Sequence, residues 1–216
     1  MKFTASSFGQ MSWPGPVVRA RCPACKRLGT FEPLANISDL QIYNLTPSVI
    51  TGQRRCPNPE CFTHLFVAVQ DGKVVVSYPP QLIDIDPINL PPRVLQALEE
   101  AISCHANRCF IAAAIMVRKT LEELCWDRQA TGGSLKDRIR SLGTKVVLPQ
   151  ELMDGLDDLR LLGNDAAHIE SQEFNQIGQE EVEIGIEFAK EVLKAVYQYS
   201  TLLTRLRGLK KGAASP

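Results

Sequence analysis

Two short segments bring thiols together in a pattern suited to metal or redox chemistry. "CPAC" carries Cys22 and Cys25, and "CPNPEC" carries Cys56 and Cys61. Their prolines and Asn58 favour tight turns, so each segment can aim two sulfurs at one point. Thirty residues lie between Cys25 and Cys56, enough for strands to fold back and join the two knuckles around one tetrahedral ion. Four thiolates favour Zn²⁺, and a closed shell leaves no open position for a substrate, so the expected site is structural with one ion per chain. The alternatives are unrelated free thiols, or a redox pair made by Cys22 and Cys25 alone. His64, three positions after Cys61, is a further candidate ligand, but it opens an apolar run and reads more simply as an exposed or capping residue.

A second cluster lies in "RLLGNDAAH". Arg160, Asn164 and His168 are spaced by four and four, which at about 100° per residue stacks them on one stripe of a helix. Acid–base chemistry on a phosphate needs such a set. A His titrates near neutral pH, the planar fork of an Arg holds phosphate oxygens, and an Asn orients either the His or a sugar hydroxyl. Arg118 and Glu122, four apart on an Ala-rich helix, are expected to face the stripe, or to form a plain intrahelical ion pair. The whole stripe reads equally as a buried hydrogen-bond network that locks two helices.

Two further groups carry charge or sulfur. Arg19, Arg21, Lys26, Arg27, Arg54 and Arg55 flank the knuckles; if the knuckles close into a zinc ribbon they gather near one end, as a phosphate-gripping patch or simply as solvating charge. Few aromatics interleave with them, so base stacking gains no specific support. Cys104, His105, Cys109 and Cys125 could be read as a second metal site, but their spacing on helices fits buried free cysteines better.

Composition narrows the classes. The chain has 216 residues and a formal net charge of zero, so any nucleic-acid contact must come from a local patch and not from overall basicity. The N-terminal "MKFTASSFGQMSWPGP" has no long apolar core, and no run approaches the roughly 18 apolar residues of a membrane span. A soluble cytoplasmic protein without membrane contact is expected, and closely paired cysteines then suggest metal more than disulfides.

The elements that must position these groups follow two grammars. Residues 1–80 are rich in Pro, Gly and short β-type runs such as "TFEPL", "HLFVAV" and "KVVVSY", the last two joined by the turn "QDG". Such strands need a staple, which the cysteines supply. Residues 81–92 form a proline-rich linker. From 93 to 207 the apolar residues recur at steps of three and four: "RVLQALEEAISC", "FIAAAIMVRKTLEELCWDRQ", "LKDRIRSLG" with Ser134 as N-cap, a helix opened by Pro149 as its first residue, and a last helix from about Gln179. Residues 208–216 read as a flexible tail. The expected class is mainly α with a small β part, the helices forming an antiparallel bundle. Ile186, Leu193, Val196 and Leu203 give the last helix more apolar surface than a small bundle covers, which predicts a homodimer.

The stretch from "LPPRVLQALEEAISCHANRCFIAAAIMVRKTLEELC" through "LRLLGNDAAHIE" to the last helix resembles an uncharacterised bacterial domain family of the HEPN-like helical superfamily, whose members often carry an N-terminal zinc ribbon. The resemblance implies a HEPN-like bundle, a dimer, and action on RNA or a nucleotide in a prokaryotic stress or defence system. The implied chemistry is metal-independent endoribonuclease activity, with Asn164 and His168 as the polar residue and the His of the motif. The Arg of that motif would directly precede the Asn, where this chain has Gly163; Arg160, one turn earlier, is the guanidinium available. The second reading is a non-catalytic dimeric interaction module whose ribbon recruits a protein or nucleic-acid partner.

Overall fold

The computed structural model describes residues 6–12, 14–168 and 176–211; the end of the expected tail, 212–216, lies outside the described residues. The chain divides into two compact units, Met1–Leu82 and Ile83–Pro216. Among the described residues, no helix is long and apolar enough to cross a membrane.

The first unit is an antiparallel sheet of seven strands, β1 (Phe8–Gln10), β2 (Val18–Arg21), β3 (Leu28–Pro33), β4 (Leu40–Ile42), β5 (Val49–Arg55), β6 (His64–Gln70) and β7 (Lys73–Tyr78). Strand β5 organises it. Along one edge β5 pairs with all of β6, from Val49 opposite Gln70 to Arg55 opposite His64; on the other edge its start pairs with β4 and its end with β3. The hairpin of β6 and β7 turns on Asp71 and Gly72, both at positive φ (52° and 72°), the geometry that matches the right-handed twist of two paired strands.

Alternation along β6 sends side chains to two faces. Leu65, Val67 and Val69 join Val18, Ala20, Phe31 and the buried cysteines, whereas Ala68 joins Ile42 and Val49. Both clusters are small. Beside them β5 carries a fully buried Arg54, which donates to Asp39 Oδ1 at 3.0 Å and Oδ2 at 2.6 Å, and to the carbonyls of Pro16 (2.7 Å) and Gln53 (2.8 Å). Gly15 and Gly52 leave room for this pair, because a Cβ on either would lie 1.7 Å from an Asp39 oxygen.

The second unit contains α1 (Pro92–Ala106), α2 (Phe110–Asp127), α3 (Leu135–Gly143), α4 (Gln150–Ala167), α5 (Gln179–Leu193) and α6 (Tyr199–Lys211). A π-helical segment, Lys194–Gln198, runs from α5 into α6, with helical backbone at Leu193, Lys194 and Tyr199. Helix α2 is central, in contact with α1, α3, α4 and α5. Its Ala113, Ala114, Val117, Leu121 and Leu124 share one core with Leu98, Leu156, Leu162 and Ile186. The expected cap of α3 is present as a full capping box, Ser134 Oγ accepting from the Asp137 amide and Asp137 accepting from the Ser134 amide.

Three details depart from the sequence reading. Pro149 is the N-cap of α4, one residue before its first helical position. Helix α6 continues to Lys211, so 208–211 extend the helix. The proline-rich strap packs Ile83, Ile85 and Leu90 against the helical core, and Gln198 of the π segment donates to the carbonyls of Asp86 (3.1 Å) and Ile88 (3.2 Å).

Helices α2 and α4 approach closely at Gly163. A Cβ there would lie 2.3 Å from Arg118 Cβ and 3.0 Å from the carbonyl oxygen of Ala114. Because one of these neighbours is backbone, relief requires the helices to part.

Two outcomes are expected in chemical denaturation. Asp39→Ala strands the buried Arg54 guanidinium and should lower the stability of the β unit by about 3–5 kcal/mol; a loss below about 1 kcal/mol would show that water reaches the site. Gly163→Ala should destabilise the helical unit by roughly 1–3 kcal/mol in spite of the better helix propensity of Ala. A stabilised variant would contradict the crossing described above.

Candidate metal centre and helical polar stripe

The cysteines sit on two knuckles built alike. Cys22 and Cys25 lie in the turn from β2 to β3, Cys56 and Cys61 in the turn from β5 to β6. In each, the residue after the second cysteine takes a left-handed conformation, Lys26 at φ 60° and Phe62 at φ 52°, which turns the chain back and closes the loop. The amide of Lys26 then bonds the Cys22 carbonyl (3.0 Å) and that of Phe62 the Asn58 carbonyl (3.3 Å).

All four sulfurs lie within 4.8 Å of one another, with Cys22 Sγ to Cys61 Sγ at 3.6 Å and Cys25 Sγ to Cys56 Sγ at 3.8 Å. A tetrahedral ion at roughly 2.3 Å from each sulfur requires edges of about 3.8 Å. The separations are far beyond the roughly 2.05 Å of a disulfide. This is a four-thiol cluster at metal-binding distance, compatible with zinc. Knuckle donors point at it: the Thr63 hydroxyl, 3.0 Å from Cys61 Sγ, and the Thr63 amide bring that thiol down to about 6, and the Arg27 amide lowers Cys25. Burial pushes Cys56 up to about 12. His64 is exposed at the start of β6 and is not a member of the cluster.

The basic residues around the knuckles separate by burial. Arg19, Lys26, Arg27 and Arg55 are exposed. Arg21 is half-buried and donates to the Lys26 carbonyl at 2.7 Å, bracing its own knuckle. Arg54 does not join a surface patch, because its whole fork is taken up by Asp39 and backbone carbonyls inside the sheet. The sequence reading also missed an aromatic: Phe62 is exposed, and the Arg55 guanidinium lies 5.8 Å from its ring centroid. Its position directly after Cys61 was the available signal.

On the helices, Arg160 and Asn164 belong to α4, and His168 is the C-cap. The His168 amide still closes the last turn onto the Asn164 carbonyl (3.0 Å), but its own backbone is extended (φ −131°, ψ 121°) and the residue is exposed. The stripe therefore frays at its titratable member. Arg160 is largely buried, and its Nε donates to Asp157 Oδ1 at 2.7 Å, which holds the Asp157 carboxyl below its ordinary range. Lys136 stands 3.9 Å from the other Asp157 oxygen. Arg118 does meet the stripe, but through backbone, donating to the Arg160 carbonyl at 3.5 Å while pairing with Glu122 at 3.4 Å. Gly163, where a motif Arg would sit, is buried in the crossing with α2.

The remaining cysteines do not assemble. Among the described residues, the four knuckle thiols are the one group of three or more His, Cys, Asp or Glu close enough to hold an ion. Cys125 is buried in the helical core, which raises it to about 11, and Cys109 is exposed.

Comparison with curated proteins and with solved structures returned no match. A family model, described as a domain of unknown function (DUF4145), matches residues 99–211, which covers the helical unit from within α1 to the end of α6 and leaves the cysteine-bearing sheet outside it. By its helical half, from the α1–α2 hairpin through the Gly163 crossing to α6, the chain belongs to the DUF4145 family.

Proposed function

We propose that this chain is an RNA- or nucleotide-directed binding module, a zinc-stapled β unit joined to a HEPN-like helical domain, of the kind used in prokaryotic stress or defence systems. The observation that carries it is the cysteine cluster: it holds two knuckles together and so keeps exposed Arg19, Lys26, Arg27 and Arg55 on a small rigid unit, with Phe62 beside Arg55 as a stacking surface. Guanidinium and ammonium groups on such a unit suit phosphates, and an exposed ring suits an unpaired base. The ion would be Zn²⁺ held by Cys22, Cys25, Cys56 and Cys61, with a structural role.

Binding is favoured over cleavage because the guanidinium of the stripe is already engaged. A phosphate would have to displace Asp157 from Arg160, and no Arg fits at position 163. Cleavage stays as the second reading on one observation, the solvent exposure of His168 one turn beyond Asn164.

Freshly purified protein should contain one zinc per chain by elemental analysis. Cys25→Ser should lose the metal and the β-sheet signal while the helical circular dichroism stays; a folded sheet without metal would contradict this. In fluorescence anisotropy, single-stranded RNA should bind with strong salt dependence, and Arg27→Ala with Arg55→Ala should flatten the salt slope by up to about 1.4, at about 0.7 per lost phosphate contact. RNA binding that is unaffected by the double variant would remove the knuckles from the proposal. RNA left intact by wild-type protein without added divalent metal is expected. Cleavage that His168→Ala abolishes would instead establish the second reading.

A further inference from the structure

The continuous helix Gln179–Lys211 is about 50 Å long at 1.5 Å per residue, and its two halves differ in chemistry. Of the four residues that predicted a dimer, Ile186 and Leu193 are buried in the helix's own core, Val196 packs against that core, and Leu203 is exposed. Beyond the π segment the described side chains of α6 are exposed throughout, including Tyr199, Leu202, Leu203, Leu206 and Leu209. Tyr199, Leu202, Leu206 and Leu209 are spaced by three, four and three, which is the seam of a helix that pairs with another. The charges on α6 are basic, with Arg205 and Arg207 among the described side chains.

Helix α5 shows the opposite surface. Ile184, 63% exposed, and Phe188 line an open groove of about 630 Å³ with Glu180, Glu183, Glu187 and Glu191 along it. Glu187 and Glu191 are partly answered by Lys190 and Lys194 on the same helix, at 2.9 and 2.6 Å. Acidic excess therefore concentrates toward Glu180 and Glu183, the latter 4.0 Å from the His105 ring nitrogen.

We propose that a second copy of this chain covers both surfaces, the α6 of each copy lying antiparallel along the α5 groove of the other. The two spacings agree: a register that sets Leu206 over Ile184 also sets Leu202 over Phe188, since both pairs are four apart. The same register brings Arg207 opposite Glu183. Because α6 follows α5 through unbroken helical backbone, it cannot fold back onto its own groove, whereas a two-fold axis near the π segment satisfies both grooves at once. Pairing of α6 with α6 would place basic residues against basic residues and leave the α5 groove uncovered. The interface is independent of RNA binding.

The test is molar mass by light scattering at tens of micromolar, for wild type and two charge-reversed variants. Wild type is expected to be dimeric. E180R/E183R should be monomeric, since basic α5 meets basic α6, and R205E/R207E should be monomeric for the converse reason. Mixing the two should restore a dimer, because each acidic surface then meets a basic one in both contacts. Circular dichroism checks that both variants fold, and L202E/L206E, which removes the apolar seam without touching α5, should also be monomeric. A monomeric wild type overturns the proposal. So does a dimer that survives either charge reversal, or a mixture of folded variants that stays monomeric.

Discussion

Helix α4 can lie against α2 because position 163 carries no side chain, and the chemistry available on α4 follows from that contact. With a Cβ at 163 only 2.3 Å from Arg118 Cβ, the helices would have to separate, and Leu159 and Leu162 would lose their places in the core. The close crossing also aligns Arg118 with the Arg160 carbonyl. A polar stripe thus borders a packed seam, and its charged groups are recruited to neutralise one another, Arg160 by Asp157 and Arg118 by Glu122. Close packing and a guanidinium side chain exclude one another at position 163, and packing prevails there.

The β unit meets the opposite problem. Its two apolar clusters are small, and neither would hold seven short strands by burial alone. Two polar devices replace the missing core: the four sulfurs, which tie the β2–β3 turn to the β5–β6 turn, and the Arg54–Asp39 pair, which ties β5 to the segment entering β4. A buried pair of this kind contributes little net stability compared with an apolar replacement, yet it is costly to break. It therefore acts on register: a slip of β5 by one residue would turn the guanidinium to the other face, away from Asp39.

What could be read from the sequence follows the range of the forces. The helices follow a local apolar period, and the spacing of the cysteines is local within each knuckle, so α1 to α6, apart from the last residues of α6, and the sulfur cluster were legible. Strands β1, β2, β4 and β5 were not. Three of them have only three or four residues, and β5 reads "VITGQRR", whose Arg54 looks like solvent-facing charge until Asp39, fifteen residues away, is brought to it. That same non-local pairing removed Arg54 from the expected basic patch. The stripe of Arg160, Asn164 and His168 assumed a helix that continues; the backbone leaves the helix at His168, and no residue pattern inside the stripe signals that end.

Arginine shows why residue type alone underdetermines a site. Arg54 is an internal strut, Arg160 is held by a carboxylate three residues back, Arg128 lies over the Tyr197 ring at 4.1 Å, and Arg93 lies over exposed Trp126 at 4.6 Å while also pairing with Glu123 at 2.9 Å. Each guanidinium already has a planar or anionic partner, and an incoming phosphate would have to compete with that partner. Arg55 is placed differently. Its neighbour is the exposed Phe62 ring, which attracts the cation weakly and leaves its donors available to an anion. The difference between a strut and an available guanidinium lies in the competing partner, and by that measure Arg55 on the knuckle is available, as is exposed Arg108 over the Phe110 ring at 5.6 Å.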